Sequence, residues 1–508
     1  MNAIFITEGN SVLLFHKLAR DLKREMNLEN TGFYVTKAIV YQYLSRVMPN
    51  IDKKFKFLKE WEIINKALKN NFKLDNDILK KFEDEIGDPW LWNPIILDRR
   101  LIHGVKVKLT QDYPPRYNYE QLRKIVQLAS MEIDNFIDSS KPDIIISFVP
   151  ATFGSYLFYL FARARGIKYL QLKSTKILNY VTLYEGIYEN YKHIYKIFNS
   201  GKVNNVYIDK AKNYIDKFSK ERIFYEGVKK IKQRDFSEKI RKLLRFIRFS
   251  FYSQSKLVRS DSSNRPGLVI NHLYIRFINP IRFRFFRFLY RKRFIKKERL
   301  DVEDYSYFPL HTEPEIAISL YGRPFRNQIE VIRNIAQNLP INMRLFVKEH
   351  PRSFGMRKLE YYERLLEIPN VALVDPLIDS LEVSRKAKLV IVITGFTGLE
   401  AAIQKKPVIT LGYCNFNILS MVKNVDNLHE LGFVIKEALD NYKYDGDELV
   451  RFIAAMMQGS VAINLYSKFL KTNVERINYE LDKSADYMSF KEYSKKRINS
   501  VLGYDGYN

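Results

Sequence analysis

The chain has 508 residues, with 84 Lys and Arg against 57 Asp and Glu and a formal net charge of +27. Hydrophobic residues make up 46% and aromatic residues 14%, enough for packed interiors, which excludes a mainly disordered protein. The length exceeds one ordinary core and implies two or three domains, and the single cysteine, Cys414, excludes an intrachain disulfide and a cysteine-based zinc site.

In chain order, "AIFIT" (3–7) is a short apolar strand, followed by helical spacing at Leu14, Leu18, Leu22 and Met26 and by a second strand, "GFYV" (32–35). Residues of about 50–130 are charged and mostly helical in pattern. "PDIIISFVP" (142–150) leads into "FGSYLFYLFARARG" and a further strand, "IKYLQL" (167–172), again strand, helix, strand. The N-terminus lacks a basic n-region and a small-residue cleavage site, and no apolar run approaches the roughly 20 residues that span a bilayer. The expectation is a cytoplasmic protein, soluble or peripheral at the inner face of the membrane.

Charge is concentrated in the middle. Between Ser219 and Arg299 stand 24 Lys and Arg against 6 Asp and Glu, an excess of +18 and two-thirds of the whole imbalance. "EKIRKLLRFIRFSF" (238–251) puts Ile240, Leu243, Leu244, Ile247 and Phe251 on one helical face, and "IRFINPIRFRFFRFLYRKRFIKK" (275–297) interleaves arginine with aromatics. Such stretches suit an anionic partner, a phospholipid surface above all. The same pattern also fits basic helices that merely cover a domain junction.

The last part alternates most clearly. "YSYFPL" (305–310), "MRLFV" (343–347), "VALV" (371–374), "KLVIVIT" (388–394) and "PVITLG" (407–412) read as strands. Helical segments fill the gaps: "RPFRNQIEVIRNIAQNL" with Pro324 suited to its first turn, "FGMRKLEYYERLLEI", "IDSLEVSRKA" and "GLEAAIQK". Five strands alternating with four helices imply a parallel, doubly wound α/β sheet.

In such a sheet, ligands bind beyond the carboxyl ends of the strands. The residues there are "PLHTEPE" (309–315), "KEHP" (348–351), "DP" (375–376), "TGFTGLEA" (394–401) and "GYCN" (412–415), so most of the unusual polar chemistry gathers at one rim. Lys348 and His350 are expected to donate to phosphate oxygens, and Pro351 restricts the turn. Thr394-Gly395-Phe396-Thr397-Gly398 supplies backbone N–H groups, two hydroxyls and a helix start, the parts of an anion site. Glu400 is placed to accept from a ribose. Each feature also has a structural reading: a stiff turn, an ordinary helix start, a macrodipole partner for Glu400, a hydrogen-bonded core histidine for His311. No G-x-x-x-x-G-K-[ST], no G-x-G-x-x-G after the first strand, no H-E-x-x-H and no G-x-S-x-G is present, and the seven scattered histidines offer no metal spacing.

"FPLHTEPE", "VKEHP" and "TGFTGLEAAIQKKPVITLG", in this order and spacing, resemble the C-terminal half of capsule polysaccharide biosynthesis proteins, glycosyltransferases of the two-domain GT-B fold that include Kdo transferases using a CMP-sugar donor. The resemblance spans about 305–415, extends plausibly to 1–20 and 140–190, and is absent from about 200–300. It implies two doubly wound Rossmann-like domains facing a cleft with a helical basic insertion between them. These are an acceptor-side domain at 1–200, a basic connecting region at 201–300, a nucleotide-sugar domain at 301–460 and a helical tail at 461–508.

It further implies that His350-Pro351, Thr394 and Thr397 hold the nucleotide phosphate with Glu400 behind them. The candidate catalytic residues are then His350, Glu8, His311 and Glu315. The donor-binding set is Lys348, Glu349, Pro351, Thr394, Gly395, Thr397, Gly398 and Glu400. A catalytic carboxylate in an acidic-acidic-glycine motif has only partial counterparts, Glu8-Gly9 and Glu185-Gly186. No cofactor or metal is expected, because Lys348, His350 and the helix start would neutralise the leaving phosphate. The expected partners are a nucleotide-sugar, a surface polysaccharide or lipid-linked glycan acceptor, and an anionic membrane surface through about 219–299. Two other reactions suit the fold, a polyol-phosphate polymerase and a UDP-sugar 2-epimerase, told apart by their donors. A nucleic-acid binding protein is the reading from another class, using 275–294 for phosphate contact and stacking.

Overall fold

A computed structural model of the chain describes residues 1–48, 51–86, 88–102, 116–188, 191–227, 278–313, 315–470 and 484–504. The amphipathic stretch 238–251 and the first residues of 275–297 lie outside these.

Two parallel sheets form the frame. The first has the strand order β13-β6-β5-β4-β1-β2-β3, with β1 Ala3–Thr7, β2 Thr31–Val35, β3 Lys56–Lys59, β4 Ile144–Ser147, β5 Lys168–Ser174, β6 Tyr180–Glu185 and β13 Val461–Ala462. Strands β1 to β5 are mutually parallel, and β6 turns back antiparallel on β5. The second sheet, β12-β11-β10-β7-β8-β9, is parallel throughout, with β7 Tyr305–Pro309, β8 Arg344–Lys348, β9 Val371–Leu373, β10 Leu389–Val392, β11 Val408–Thr410 and β12 Val422–Asn424. Each reads 3-2-1-4-5 in its own count, the doubly wound order, so the α/β class with two Rossmann-like sheets holds. The order reverses between β1 and β4 and again between β7 and β10, which makes these the two crevices where such sheets bind ligands.

The apolar runs form strands because helices cover both faces: Leu389, Val390, Ile391 and Val392 are completely buried, each adding about 1.5–3 kcal/mol. In the second half the helices are Gln328–Gln337, Leu359–Leu366, Ser380–Lys386 and Phe396–Ile403. Pro324 does not start the first of them; it sits in a short turn at Arg323–Phe325, and the helix begins after Asn327. β3, β6, β12 and β13 escape the strand pattern, since three are only two to four residues long and β6 belongs to a hairpin rather than a crossover unit.

The two halves share material. One apolar cluster runs from Tyr307 and Val392 through the helix Gly446–Gln458 into Tyr191, Ile194 and Phe218. The tail does not hang free: β13 pairs with β6, and the helix Ala485–Leu502 docks on the first domain, where Tyr487 donates to Asp21 at 2.6 Å and Lys491 and Lys495 pair with Glu25. Among the described residues no helix is long and apolar enough to cross a membrane. The helix Asn279–Tyr290 lies on the second domain, its Arg282 donating to the carbonyls of Gly355 and Arg357 and Arg287 pairing with Asp375.

Candidate active site

The carboxyl ends of both sheets meet across a cavity of about 460 Å³. From the second domain it is lined by Glu315, Ile316, Tyr321, Arg352, the turn Thr394-Gly395-Phe396 and Tyr413 to Phe416. From the first come Val149, Tyr191 and the hairpin Lys173 to Lys176.

At the β7/β10 crevice, the Thr394 N–H donates to Nε2 of His311 at 3.4 Å and the Thr394 hydroxyl donates to the Ala317 carbonyl. An imidazole accepting at Nε2 carries its proton on Nδ1. Burial, with Lys176 and Arg357 nearby, pushes its pKa down to about 4, so His311 is neutral at pH 7. Gly395 has φ of 104°, a region closed to most side chains, and leads into the helix Phe396–Ile403, which has no side-chain cap. Its first backbone N–H groups therefore remain available at the cavity wall. Gly398 has a packing reason as well, since a Cβ there would come within 2.7 Å of the Phe416 ring.

The Lys-Glu-His-Pro turn divides its labour. Alternation along β8 sends Lys348 under the 375–379 loop, where its ammonium donates to the Pro376 carbonyl at 3.1 Å and burial pushes its pKa down to about 8. It does not line the cavity, contrary to the expected rim contact. Glu349 lies beneath the turn in an ion pair with Arg357 at 2.7 Å, and Arg357 also pairs with Glu313 at 2.8 Å and donates to the His311 carbonyl. His350 is exposed on the turn, and its Nδ1 accepts from the Arg352 N–H at 3.0 Å, which leaves Nε2–H as an outward donor. The surrounding protein, with Arg352 and Lys348, holds its pKa near 4. Pro351 opens the turn that delivers Arg352 to the cavity. Thr397 is half-buried in the first helical turn. Glu400 is buried on that helix, its carboxyl pKa raised by burial against the pull of Arg222 and Lys176. Glu315 lines the cavity, raised by desolvation and opposed by Lys176 and Arg99.

At the β1/β4 crevice, Glu8 accepts from the Ser155 hydroxyl at 2.7 Å and from Thr36 at 3.4 Å, and Gly9 turns the chain with φ of 55°. Burial raises the Glu8 pKa, with Arg100 as the main opposing charge. Beneath it, Arg100 pairs with Glu60 at 2.5 Å and with Asp98 at 2.6 Å, and Asp98 accepts from the Phe153 N–H at the start of the helix that carries Ser155. Burial also lifts the Glu60 pKa. Glu185 is elsewhere: β6 runs antiparallel, so its end lies at the opposite edge, paired with Arg497 at 3.0 Å.

Sequence reasoning missed the hairpin lysines. Lys173 packs over the Tyr321 ring at 4.1 Å and donates to its hydroxyl at 3.0 Å, and burial pushes its pKa down to about 8. Lys176 holds φ of 64°, uncommon for a side-chain-bearing residue, and its ammonium has no hydrogen-bond or ion-pair partner among the described residues. The signal was available, because "KSTK" (173–176) follows "IKYLQL" just as "KEHP" (348–351) follows "MRLFV".

Residues 289–433 match the family of the capsule polysaccharide biosynthesis protein, and this range holds the β7/β10 crevice. Among curated proteins, none matches the chain. Among solved structures, the Thermosulfurimonas dismutans KpsC beta Kdo 2,7 transferase is similar at 13% identity over 64% of this chain and 80% of that one, with a TM-score of 0.34. The beta Kdo 2,4 transferase of the same KpsC gives 11%, 66%, 87% and 0.34. A Methanocaldococcus jannaschii UDP-GlcNAc 2-epimerase in complex with UDP-GlcNAc and UDP gives 13%, 90%, 100% and 0.26. Likenesses of this size carry no weight for substrate or reaction. The match over 289–433 covers less than half of the chain.

Proposed function

We propose that the chain is a glycosyltransferase that moves a sugar from a nucleotide-sugar donor to a surface glycan or lipid-linked acceptor. The carrying observation is the cavity itself, where Lys173, Lys176 and Arg352 face the uncapped start of the helix Phe396–Ile403. The ammonium groups of Lys173 and Lys176, which no carboxylate pairs among the described residues, stand opposite helix-start N–H groups without a side-chain cap. Such an arrangement suits a phosphate and stabilises the charge that develops on a leaving nucleotide. The volume suits a ligand of nucleotide-sugar size. Glu8, its pKa raised by burial at the other crevice, is the general base for the acceptor hydroxyl, and Ser155 and Thr36 orient it.

The test is the thermal shift of the purified protein with CMP, CDP, UDP and GDP, beside Lys176→Ala. A ligand that binds only the folded state raises its melting temperature. Stabilisation by one nucleotide, lost in the variant, supports the reading, and a response to none of the four sinks it. CMP points to a CMP-sugar donor, CDP to polyol-phosphate transfer, and UDP with turnover in the absence of acceptor to epimerisation.

The enzyme acts at a membrane surface. Ile278, Ile281, Phe285, Phe288 and Leu289 are exposed at helical spacing, among arginines and without an acidic residue on the helix. An apolar stripe flanked by cations is the make-up of an interfacial helix. Its inner arginines, Arg282 and Arg287, are already engaged with the protein, which counts against a nucleic-acid surface. Flotation with phosphatidylglycerol vesicles should carry the wild type upward and leave Phe285→Glu/Phe288→Glu behind; equal flotation of both would refute the docking.

A further inference from the structure

On the first domain, outside the cleft, a groove of about 360 Å³ opens between the helices Asn76–Ile86, Trp92–Leu97 and Tyr119–Ser140. Trp92 and Tyr119 stack there with ring centroids 6.0 Å apart and planes 22° apart, although they are 41% and 63% exposed. Arg123 lies 5.1 Å over the Tyr119 ring, and Asn76, Lys80 and Glu83 complete a polar lining of both signs. A large aromatic pair left in water marks a contact surface rather than a core.

We propose that this groove binds sugar rings of the acceptor glycan that precede the reacting residue, an inference that rests on the glycosyltransferase reading. A pyranose presents a flat C–H face to an aromatic ring and hydroxyls at its rim, which matches stacked rings beside an amide and charges of both signs. The position fits as well. The helix that starts at Trp92 ends at Asp98, the residue that fixes the Phe153 N–H beside Glu8. Six residues at 1.5 Å each put Trp92 about 9 Å along the helix axis from Asp98, so one short helix ties the groove to the support of that crevice. The connection is held from the other domain, since Asp88 accepts from Tyr156 at 2.9 Å and pairs with Arg323 at 3.4 Å. The contrast with the helix Asn279–Tyr290 is informative: that exposed apolar stripe has only cations beside it, as a lipid surface requires, whereas the groove carries Glu83 among its cations.

The test is a fluorescence titration of the full chain with size-fractionated oligosaccharides released from the surface polysaccharide of the cell that makes the protein. Trp61 is buried, so Trp90 and Trp92 report surface binding. Fragments of several residues should shift the emission of the wild type and of Trp90→Phe saturably. By isothermal calorimetry, which does not depend on the reporter that the Trp92 variants lack, Trp92→Ala and Tyr119→Ala should bind at least tenfold more weakly, with Trp92→Phe within threefold of the wild type. Both alanine variants alter exposed rings and should melt like the wild type. The proposal is overturned if they bind as tightly as the wild type, if no fragment of any length binds, or if phosphatidylglycerol vesicles perturb Trp92 and the oligosaccharides do not. Neither donor nor turnover enters this titration. A silent nucleotide panel with a positive titration removes the transferase reading and leaves a glycan site, and the reverse pair of results removes the groove alone.

Discussion

The two crevices rest on the same kind of foundation and present opposite chemistry. Under each lies an arginine between two carboxylates, the half-buried Arg100 between Glu60 and Asp98 in the first domain and the buried Arg357 between Glu313 and Glu349 in the second. In both, the trio also fixes backbone beside the crevice, through the Phe153 N–H in one case and the His311 carbonyl in the other. Above the first stands a third carboxylate, Glu8; above the second stands a neutral imidazole, His311, and an uncapped helix start. One doubly wound edge therefore presents a helix start and cations and the other a buried carboxylate, so under the proposed function a nucleotide phosphate and a sugar hydroxyl would have separate seats.

The largest expected effect breaks the comparison on the acceptor side. Glu8→Gln keeps size and one acceptor oxygen for the Ser155 hydroxyl but loses the base, so kcat for transfer should fall by about 10²–10⁴ while the nucleotide thermal shift stays unchanged. Retention of kcat within tenfold would move the base elsewhere and leave the two edges chemically alike.

The foundations come next. Arg357→Leu strands two buried carboxylates and should lower stability by about 3–5 kcal/mol, read from the urea midpoint at constant m. Arg100→Leu should be similarly destabilising, and it differs in one respect. Arg100 is the main charge that lowers the Glu8 pKa, so only this variant should shift the acidic limb of the pH–rate profile upward. A shift in both variants, or in neither, would dissolve the assigned difference between the edges.

Much of the second edge was legible in the sequence, because parallel strands buried on both faces announce themselves as unbroken apolar runs and the rule about their carboxyl ends then selects His311, Thr394 and Gly395. Lys348 and Glu349 were misplaced for a physical reason: consecutive residues at a strand end point to opposite sides, and "KEHP" shows which groups are present but not which one faces the cleft. Arg352, two residues later, is the side chain that reaches it. The first edge was less legible. Glu60, Asp98 and Arg100 come from a charged helical stretch without strand landmarks, and only tertiary packing brings them under Glu8. Lys173 and Lys176 lie on a hairpin, outside the alternation of strand and helix that guided the reading.

The anion side can be titrated. Lys173 is held at about 8, below the ordinary 10.5, by burial. Only its ammonium attracts a phosphate, so nucleotide affinity should be level below pH 8 and weaken by up to about tenfold per unit above it. Folding stability runs the other way. Between pH 8 and 10.5 the unfolded chain holds more protons than the folded one, so the unliganded protein should gain stability as pH rises through that window. Lys348, held at about 8 as well, adds to the stability slope without touching the cavity. Burial lowers the Lys176 pKa as well, so calorimetric binding in Lys173→Met should lose part of the pH dependence of affinity, the double variant Lys173→Met/Lys176→Met should lose the rest, and both should keep part of the pH dependence of stability.

The smallest effect concerns His350. It is neutral at pH 7 and exposed, and the Arg352 N–H at its Nδ1 fixes Nε2–H as the only proton it can offer. One neutral hydrogen bond has a net worth of about 0.5–1.5 kcal/mol, so His350→Ala should weaken nucleotide binding by roughly 2–10-fold. His350→Asn, whose side-chain amide can still donate, should recover most of that loss. A hundredfold loss in His350→Ala would instead make the imidazole a principal phosphate ligand, shifting the weight of the anion site from the hairpin lysines to the turn. An unchanged affinity would leave the turn with one task, the delivery of Arg352 to the cavity.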